Sequence, residues 1–252
     1  ISFLILVEGY LFSLKRWYIK VITPAFVLIL FKFIPKDLLV DNNSSINTDI
    51  MNFLSIDCST ETASLFVKVE NKTFSKVLQS DKFINDLMVK YILDFIAEND
   101  LKFEDLSKIF VNQGPGSFSG LRTSLAIAKG ISISRNIKLY GYDSFRWSCA
   151  KFYNKKDIIY SLIKIREKYF IQKFDKKLNA ILQPKEIAEK EIIENYNNNE
   201  LKVIPKNISN QFNEKILKLK NLNIVELNHK ELEFLHLQGL LNEDLIKPLY
   251  LS

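Results

Sequence analysis

The sequence predicts an α/β fold built on mixed sheets, and three observations carry the prediction. From Met51 onward, short β-like runs alternate with helix-length segments. Some runs follow one another directly, as the first three do, which calls for antiparallel neighbours, whereas others are separated by helices, which calls for parallel ones. Apolar residues make up 47% of the 252-residue chain, enough to fill a sizeable core.

Taken in order, strands are predicted at 53–57, 64–69 and 72–78, the last two joined by the turn pair Glu70-Asn71. A helix fits 81–98, with Ser80 or Asp81 as its N-cap. A strand at 108–112, a Gly-rich turn at 114–120, a helix at 121–134 and a strand at 137–142 follow. The remainder repeats the alternation, with strands at 158–166, 168–174 and 178–182, helices at 187–196 and 210–219, and strands at Val203 and Ile224. A last helix is predicted at 230–241. The expected division is one lobe over 51–155 and a second over 156–252, the last helix packing back on the first lobe.

Residues 1–50 read differently. The apolar run from Val21 to Phe31 has 11 residues and contains Thr23 and Pro24, against the roughly 20 that a bilayer span needs. No small-residue cleavage site follows, only the polar stretch from Asp41. We expect Met51 to be the biological start and 1–50 a non-homologous or translated upstream extension, with a membrane anchor as the rival reading. Lys+Arg 35 against Asp+Glu 29 leaves a net charge of +6, too mild for a dedicated nucleic-acid-binding domain. Two cysteines, Cys58 and Cys149, exclude a disulfide scaffold and suit a reducing, intracellular compartment.

Two motifs carry chemical information. Asp57-Cys-Ser-Thr-Glu61 leaves the first strand and enters a hairpin. A carboxylate beside the Ser59 and Thr60 hydroxyls can hold a hydrated divalent cation and a phosphate, and the same residues are ordinary turn formers. Gly114-Pro-Gly-Ser-Phe-Ser-Gly-Leu-Arg122 connects a strand to a helix. Its glycines allow close backbone approach and its helix start offers N–H groups to an anion; equally, it can serve as a tight connection. It fits neither the Walker nor the Rossmann spacing.

In this order the motifs resemble the bacterial TsaB family, also called YeaZ, over residues 51–252. The resemblance also draws on Ala126-Ile-Ala-Lys-Gly130, on Ile163-Lys-Ile-Arg-Glu-Lys-Tyr-Phe170 and on Lys247-Pro-Leu-Tyr-Leu251. It implies an actin-like ATPase (ASKHA, ribonuclease H-like) fold of two small lobes with mixed β-sheets. It also implies a cytoplasmic, non-catalytic paralogue of TsaD that acts in threonylcarbamoyladenosine modification of tRNA. The implied partners are a TsaD-type catalytic subunit, a TsaE-type ATPase and, through the complex, tRNA; a homodimer is the other assembly. No cofactor and no membrane are implied, though a nucleotide has room near the shared interface. On this reading Asp57, Ser59, Thr60, Gly114, Gly116, Ser117 and Gly120 are a vestigial nucleotide loop. One segment departs from the family pattern: Lys164-Ile-Arg-Glu-Lys-Tyr169 lacks the acidic residue and glycine usual there, which weakens any role resting on them.

The catalytic paralogue holds a metal through a His-x-x-x-His pair on a helix whose counterpart here, 81–96, has no histidine. His229 and His236, the two histidines of the chain, suit packing or surface roles. The 81–98 helix is apolar over roughly 240° of arc, where one core needs only about 100°. The next helix carries small residues that permit close approach. We therefore expect a partner interface at Ile84, Leu87, Met88, Tyr91, Phe95, Arg122, Leu125 and Ala128, or else two helices buried wholly within the chain. Competing functions are an active ATPase or small-molecule kinase using Asp57, a metallopeptidase, and an RNA-binding module using lysine clusters at Lys151, Lys155 and Lys156, at Lys173, Lys176 and Lys177, and at Lys215, Lys218 and Lys220.

Overall fold

The computed structural model describes residues 51–60, 62–78, 84–243 and 246–251, with backbone alone at 84 and 85. The expectations for residues 1–50, for a cap at Ser80 or Asp81 and for the Ile84 side chain lie outside the described residues.

One sheet contains β1 (Phe53–Asp57), β2 (Ala63–Val69), β3 (Lys72–Leu78), β4 (Lys108–Asn112) and β5 (Lys138–Tyr142), in the order β3-β2-β1-β4-β5. The second contains β6 (Ile158–Ile165), β7 (Lys168–Asp175), β8 (Ala180–Ile187), β9 (Leu201–Pro205) and β10 (Leu222–Val225), in the order β10-β9-β6-β7-β8. The two paths are the same. In each, three strands pair antiparallel, and two further strands add parallel to the first. The helices are α1 (Ile84–Glu98), α2 (Phe118–Arg135), α3 (Ser144–Cys149), α4 (Glu189–Asn195), α5 (Lys206–Ser209), α6 (Glu214–Leu217) and α7 (Lys230–Leu237).

Alternation along the strands divides the interior in two. Leu54, Ile56, Leu65, Val67, Ile109 and Val111 meet Met88, Ile92, Leu125 and Ala128 beneath α1 and α2. Phe53, Phe66, Phe110 and Tyr142 point the other way, into a larger core shared with Phe170 and Phe174 of the second sheet and with Trp147, Leu232 and Leu235. All five residues of β1 are buried because both its faces are covered. The second cover is α7. Its N-cap residue His229 stacks on Phe66 at 5.4 Å, Glu233 pairs with Lys68 at 2.6 Å, and His236 meets Tyr140 edge-on at 4.4 Å.

Several boundaries differ from the sequence expectation. Helix α2 begins at Phe118 rather than 121, because the Ser117 side chain caps it by accepting from the Gly120 N–H at 3.4 Å. Strand β8 runs through Pro184 to Ile187, which an edge strand tolerates because its outer side needs no ladder hydrogen bond. The 210–219 segment forms no single helix; α5 ends at Ser209, and α6 starts after Asn213, whose side chain accepts from the Lys215 N–H at 2.9 Å. Helix α7 stops at Leu237 rather than 241, since Gly239 takes φ +68° and Leu240 N–H closes onto Leu235 O at 2.9 Å. Helix α3 has no counterpart in the sequence reading; Asp143 starts it, accepting from the Arg146 N–H at 2.8 Å.

Candidate functional site

A cleft of about 1410 Å³ opens between the two sheets. Ser59, Thr60, Gly116, Ser117 and Ser144 line one wall, and the β6–β7 turn with Lys164, Arg166 and Lys168 lines the other. The first wall lies at the carboxyl ends of parallel strands β1, β4 and β5, where strand ends and helix starts converge in α/β sheets.

The two motifs, which begin at Asp57 and at Gly114 in the sequence, are in direct contact here. The Ser117 N–H donates to Ser59 O at 2.7 Å. A Cβ on Gly116 would stand 2.0 Å from Ser59 O, and one on Gly120 would stand 2.1 Å from Cys58 O. Both glycines are thus required for α2 to seat on the exit of β1. Gly114 serves the same turn, its N–H donating to Asn112 Oδ1 at 2.8 Å. The peptide bond it makes to Pro115 is cis.

Beneath this contact is a polar hub that sequence reasoning missed. Asn112 Nδ2 donates to Asp57 Oδ1 at 3.0 Å, Ser59 Oγ at 3.2 Å and Ser144 Oγ at 2.9 Å. Asp57 also accepts from the Ser59 N–H at 2.8 Å. Its side chain is buried, and that burial raises its pKa above the usual carboxylate range although the Ser59 and Asn112 hydrogen bonds pull it down. Asp57 Oδ1 thereby ties the exit of β1 to the end of β4 beside the cleft. Among the described residues, no group of three His, Cys, Asp or Glu side chains is placed to hold a metal ion. The groups that would face an anionic ligand are the Ser59, Thr60 and Ser117 hydroxyls and, opposite them, Arg166. Lys168 is tied to Glu186 at 2.8 Å and Lys164 donates to Gln211 O at 3.0 Å.

The segment 246–251 crosses the mouth of this cleft. Its Leu249 N–H donates to Gln113 O at 2.6 Å, and Tyr250 packs on Phe118 at 5.1 Å while its hydroxyl accepts from Arg122 Nε at 2.8 Å. Arg122, expected at a partner interface, stacks on Phe118 and faces this tail.

The residues expected at the interface separate into two groups. Met88, Phe95, Leu125 and Ala128 are between 0% and 3% exposed, so the chain's own core claims them and they are corrected to structural roles. Leu87 is 38% exposed and Tyr91 is half-buried. Leu93 at 40% and, on α2, Ile133 at 69% are also exposed. The last two were absent from the expected set; Leu93 lay within the apolar arc that suggested it. Of the other sequence candidates, Cys58 and Cys149 are free and buried, burial raising both thiol pKa values, that of Cys149 to about 12. Among the described residues, no helix is long and apolar enough to cross a membrane.

Residues 80–160 match the family model described as TsaD, tRNA N6-adenosine threonylcarbamoyltransferase. A protein of Buchnera aphidicola subsp. Baizongia pistaciae named tRNA threonylcarbamoyladenosine biosynthesis protein TsaB is 26% identical over 88 residues, 35% of this chain and 40% of that one. The protein of the same name from Buchnera aphidicola subsp. Acyrthosiphon pisum is 22% identical over 131 residues, 51% of this chain and 59% of that one. The matches thus span about half the length of these curated relatives. The solved structure of YeaZ from Pseudomonas aeruginosa superposes with a TM-score of 0.62 at 14% identity, covering 80% of this chain and 100% of that one. The fold is accordingly the actin-like, ribonuclease H-like α/β fold with two mixed sheets. With the Asp57 motif and the glycine block joined as one unit on that fold, the chain is similar to the TsaB (YeaZ) proteins in both sequence and fold.

Proposed function

We propose that this chain is a non-catalytic subunit in the biosynthesis of threonylcarbamoyladenosine in tRNA, pairing in the cytoplasm with a TsaD-type catalytic subunit. The names of its relatives support the pathway. The pairing rests on one observation. The α1–α2 layer already fills the core beneath it, yet Leu87, Leu93 and Ile133 on these two helices are exposed, apolar side chains that a second helical layer would cover. A TsaE-type ATPase and tRNA would join through the complex, and a homodimer would use the same helices. On this reading Asp57 is structural and the subunit needs no cofactor of its own.

Leu87→Glu tests the pairing. The side chain is exposed, so stability should change by no more than about 0.5 kcal/mol by urea denaturation. Co-purification with the TsaD-type paralogue should be lost, because the complex would bury an unpaired carboxylate. Retained co-purification would refute the interface. The cleft itself favours one competing reading, an active ATPase or small-molecule kinase. That reading requires ATP turnover by the isolated chain that disappears in Asp57→Asn; we expect no turnover.

A further inference from the structure

The sequence scatters lysines in short runs, but the structure joins two of the runs into one surface. The pairing of Ile158 with Asp175 sets the start of β6 beside the end of β7, so the segments 151–157 and 176–179 meet. The Asn154 N–H donates to Lys176 O at 2.7 Å and locks them together. Asp175 accepts from the Lys177 and Asn179 N–H groups, both at 2.8 Å, which turns its carboxylate to shaping the second loop.

Lys151, Lys155, Lys156, Lys176 and Lys177 are all exposed. None of them makes an ion pair among the described residues, whereas Lys68, Lys76, Lys168 and Lys185 do. The acids nearby offset them only in part. Asp157 is exposed and Asp175 is engaged as described. Glu231 lies close enough to feel Lys151 and Lys155, but its burial pushes its pKa up to about 7. The surface has no arginine fork and no exposed ring suited to stacking bases, so its chemistry suits phosphates rather than base edges.

The patch lies at the opposite end of β6 and β7 from the turn that lines the cleft, a distance of about 25 Å along an eight-residue strand. It is also on the second sheet, away from the α1–α2 layer. A partner seated on that layer leaves the patch open.

We propose that these five lysines form a surface that holds the phosphate backbone of RNA, engaging it without reading sequence. The proposal rests on the reading of the chain as a subunit in tRNA modification, and its test is separable from the pairing test. Binding of the full chain to an unmodified tRNA transcript is measured over a salt series. Five phosphate contacts predict log K falling against log salt with a slope of about −4. In the variant carrying Lys151→Ala, Lys155→Ala, Lys176→Ala and Lys177→Ala, affinity should fall at least about tenfold and the slope should flatten by about three. Arginine at the same four positions should restore both. The control carrying Lys215→Ala, Lys218→Ala and Lys220→Ala, changed around α6, should bind as the native chain does. Unchanged binding by the four-alanine variant overturns the proposal. So does an equal loss in the α6 control, which would show net charge alone at work. A loss of poly-glutamate binding with tRNA binding intact also overturns it and assigns the patch to an acidic protein. The four-alanine variant should still co-purify with the TsaD-type paralogue. Failure of Leu87→Glu to break that pairing counts against the proposed function and not against the lysine surface.

Discussion

The two sheets follow one strand path, yet the layers covering them differ. In the first half the chain crosses between parallel strands through helices of 15 and 18 residues. In the second half the corresponding crossings use helices of 7, 4 and 4 residues. Long crossings build a continuous helical layer whose inner side fills a core and whose outer side carries Leu87, Leu93 and Ile133. Short crossings build none; of the exposed large apolar residues of the second half, Ile181, Leu182 and Ile224 lie on the edge strands β8 and β10, while Leu237 ends α7 and Tyr250 lies on the tail over the cleft. Strand order therefore defines the shared architecture, while crossing length decides which half can offer a helical face to a partner.

The two halves differ most sharply at the strand-to-helix turns. In the first half β4 enters α2 through the glycine block; in the second β9 enters α5 at Pro205 and Lys206 with no glycine. Gly116→Ala would put a carbon 2.0 Å from Ser59 O, a backbone atom that cannot swing aside. It should cost about 3 kcal/mol or more in urea denaturation, whereas Lys206→Ala should cost less than about 0.5 kcal/mol. Equal costs would mean that the two turns are mechanically alike.

A second, smaller effect sharpens how the halves are joined. The His229 ring lies between Ser55 Oγ at 2.9 Å and Ser64 Oγ at 3.0 Å, and its burial lowers its pKa from 6.5 to about 4. As pH falls, the unfolded chain takes up this proton before the folded chain does. The contribution is therefore fully present above pH 6.5 and is lost as pH falls toward 4, by about 3 kcal/mol. Asp57 and Glu231, whose pKa values are raised, shift stability in the opposite sense, so the measurement is the difference from His229→Gln across that range. A difference that does not change with pH would show the ring to be solvated when folded.

The smallest effect is expected at the ion pair joining α7 to the first sheet. Lys68 and Glu233 are 21% and 23% exposed. Lys68→Met should cost no more than about 1 kcal/mol, because the two charges remain partly in water. A larger loss, measured by thermal or urea unfolding, would make this contact a principal tie between the halves.

Much of this architecture was legible in the sequence. Strand runs and the Glu70-Asn71 turn mark the first sheet, and the glycine block marks a strand-to-helix connection because close approach demands glycine at Gly116 and Gly120. The hub at Asn112 and Ser144 was not legible, since single polar residues at strand ends carry no periodicity and gain meaning only when the sheet brings them to Asp57. The breadth of the apolar arc on α1 was readable, but breadth does not say which part faces inward. The arc alone allows Met88 and Phe95 to face a partner, and the position of the sheet puts both in the chain's own core. The end of α7 was written in Gly239, a C-terminal signal that the apolar residues beyond it obscured.

The placement of α7 has a consequence for how the protein is made. Phe66 and Phe110 belong to strands that leave the ribosome early, but the helix that covers them is translated more than a hundred residues later. At about 5–20 residues per second, those rings wait several seconds or more for their cover. The first sheet is thus covered last, and its inward face is open to a chaperone, or to aggregation, throughout the synthesis of the second half.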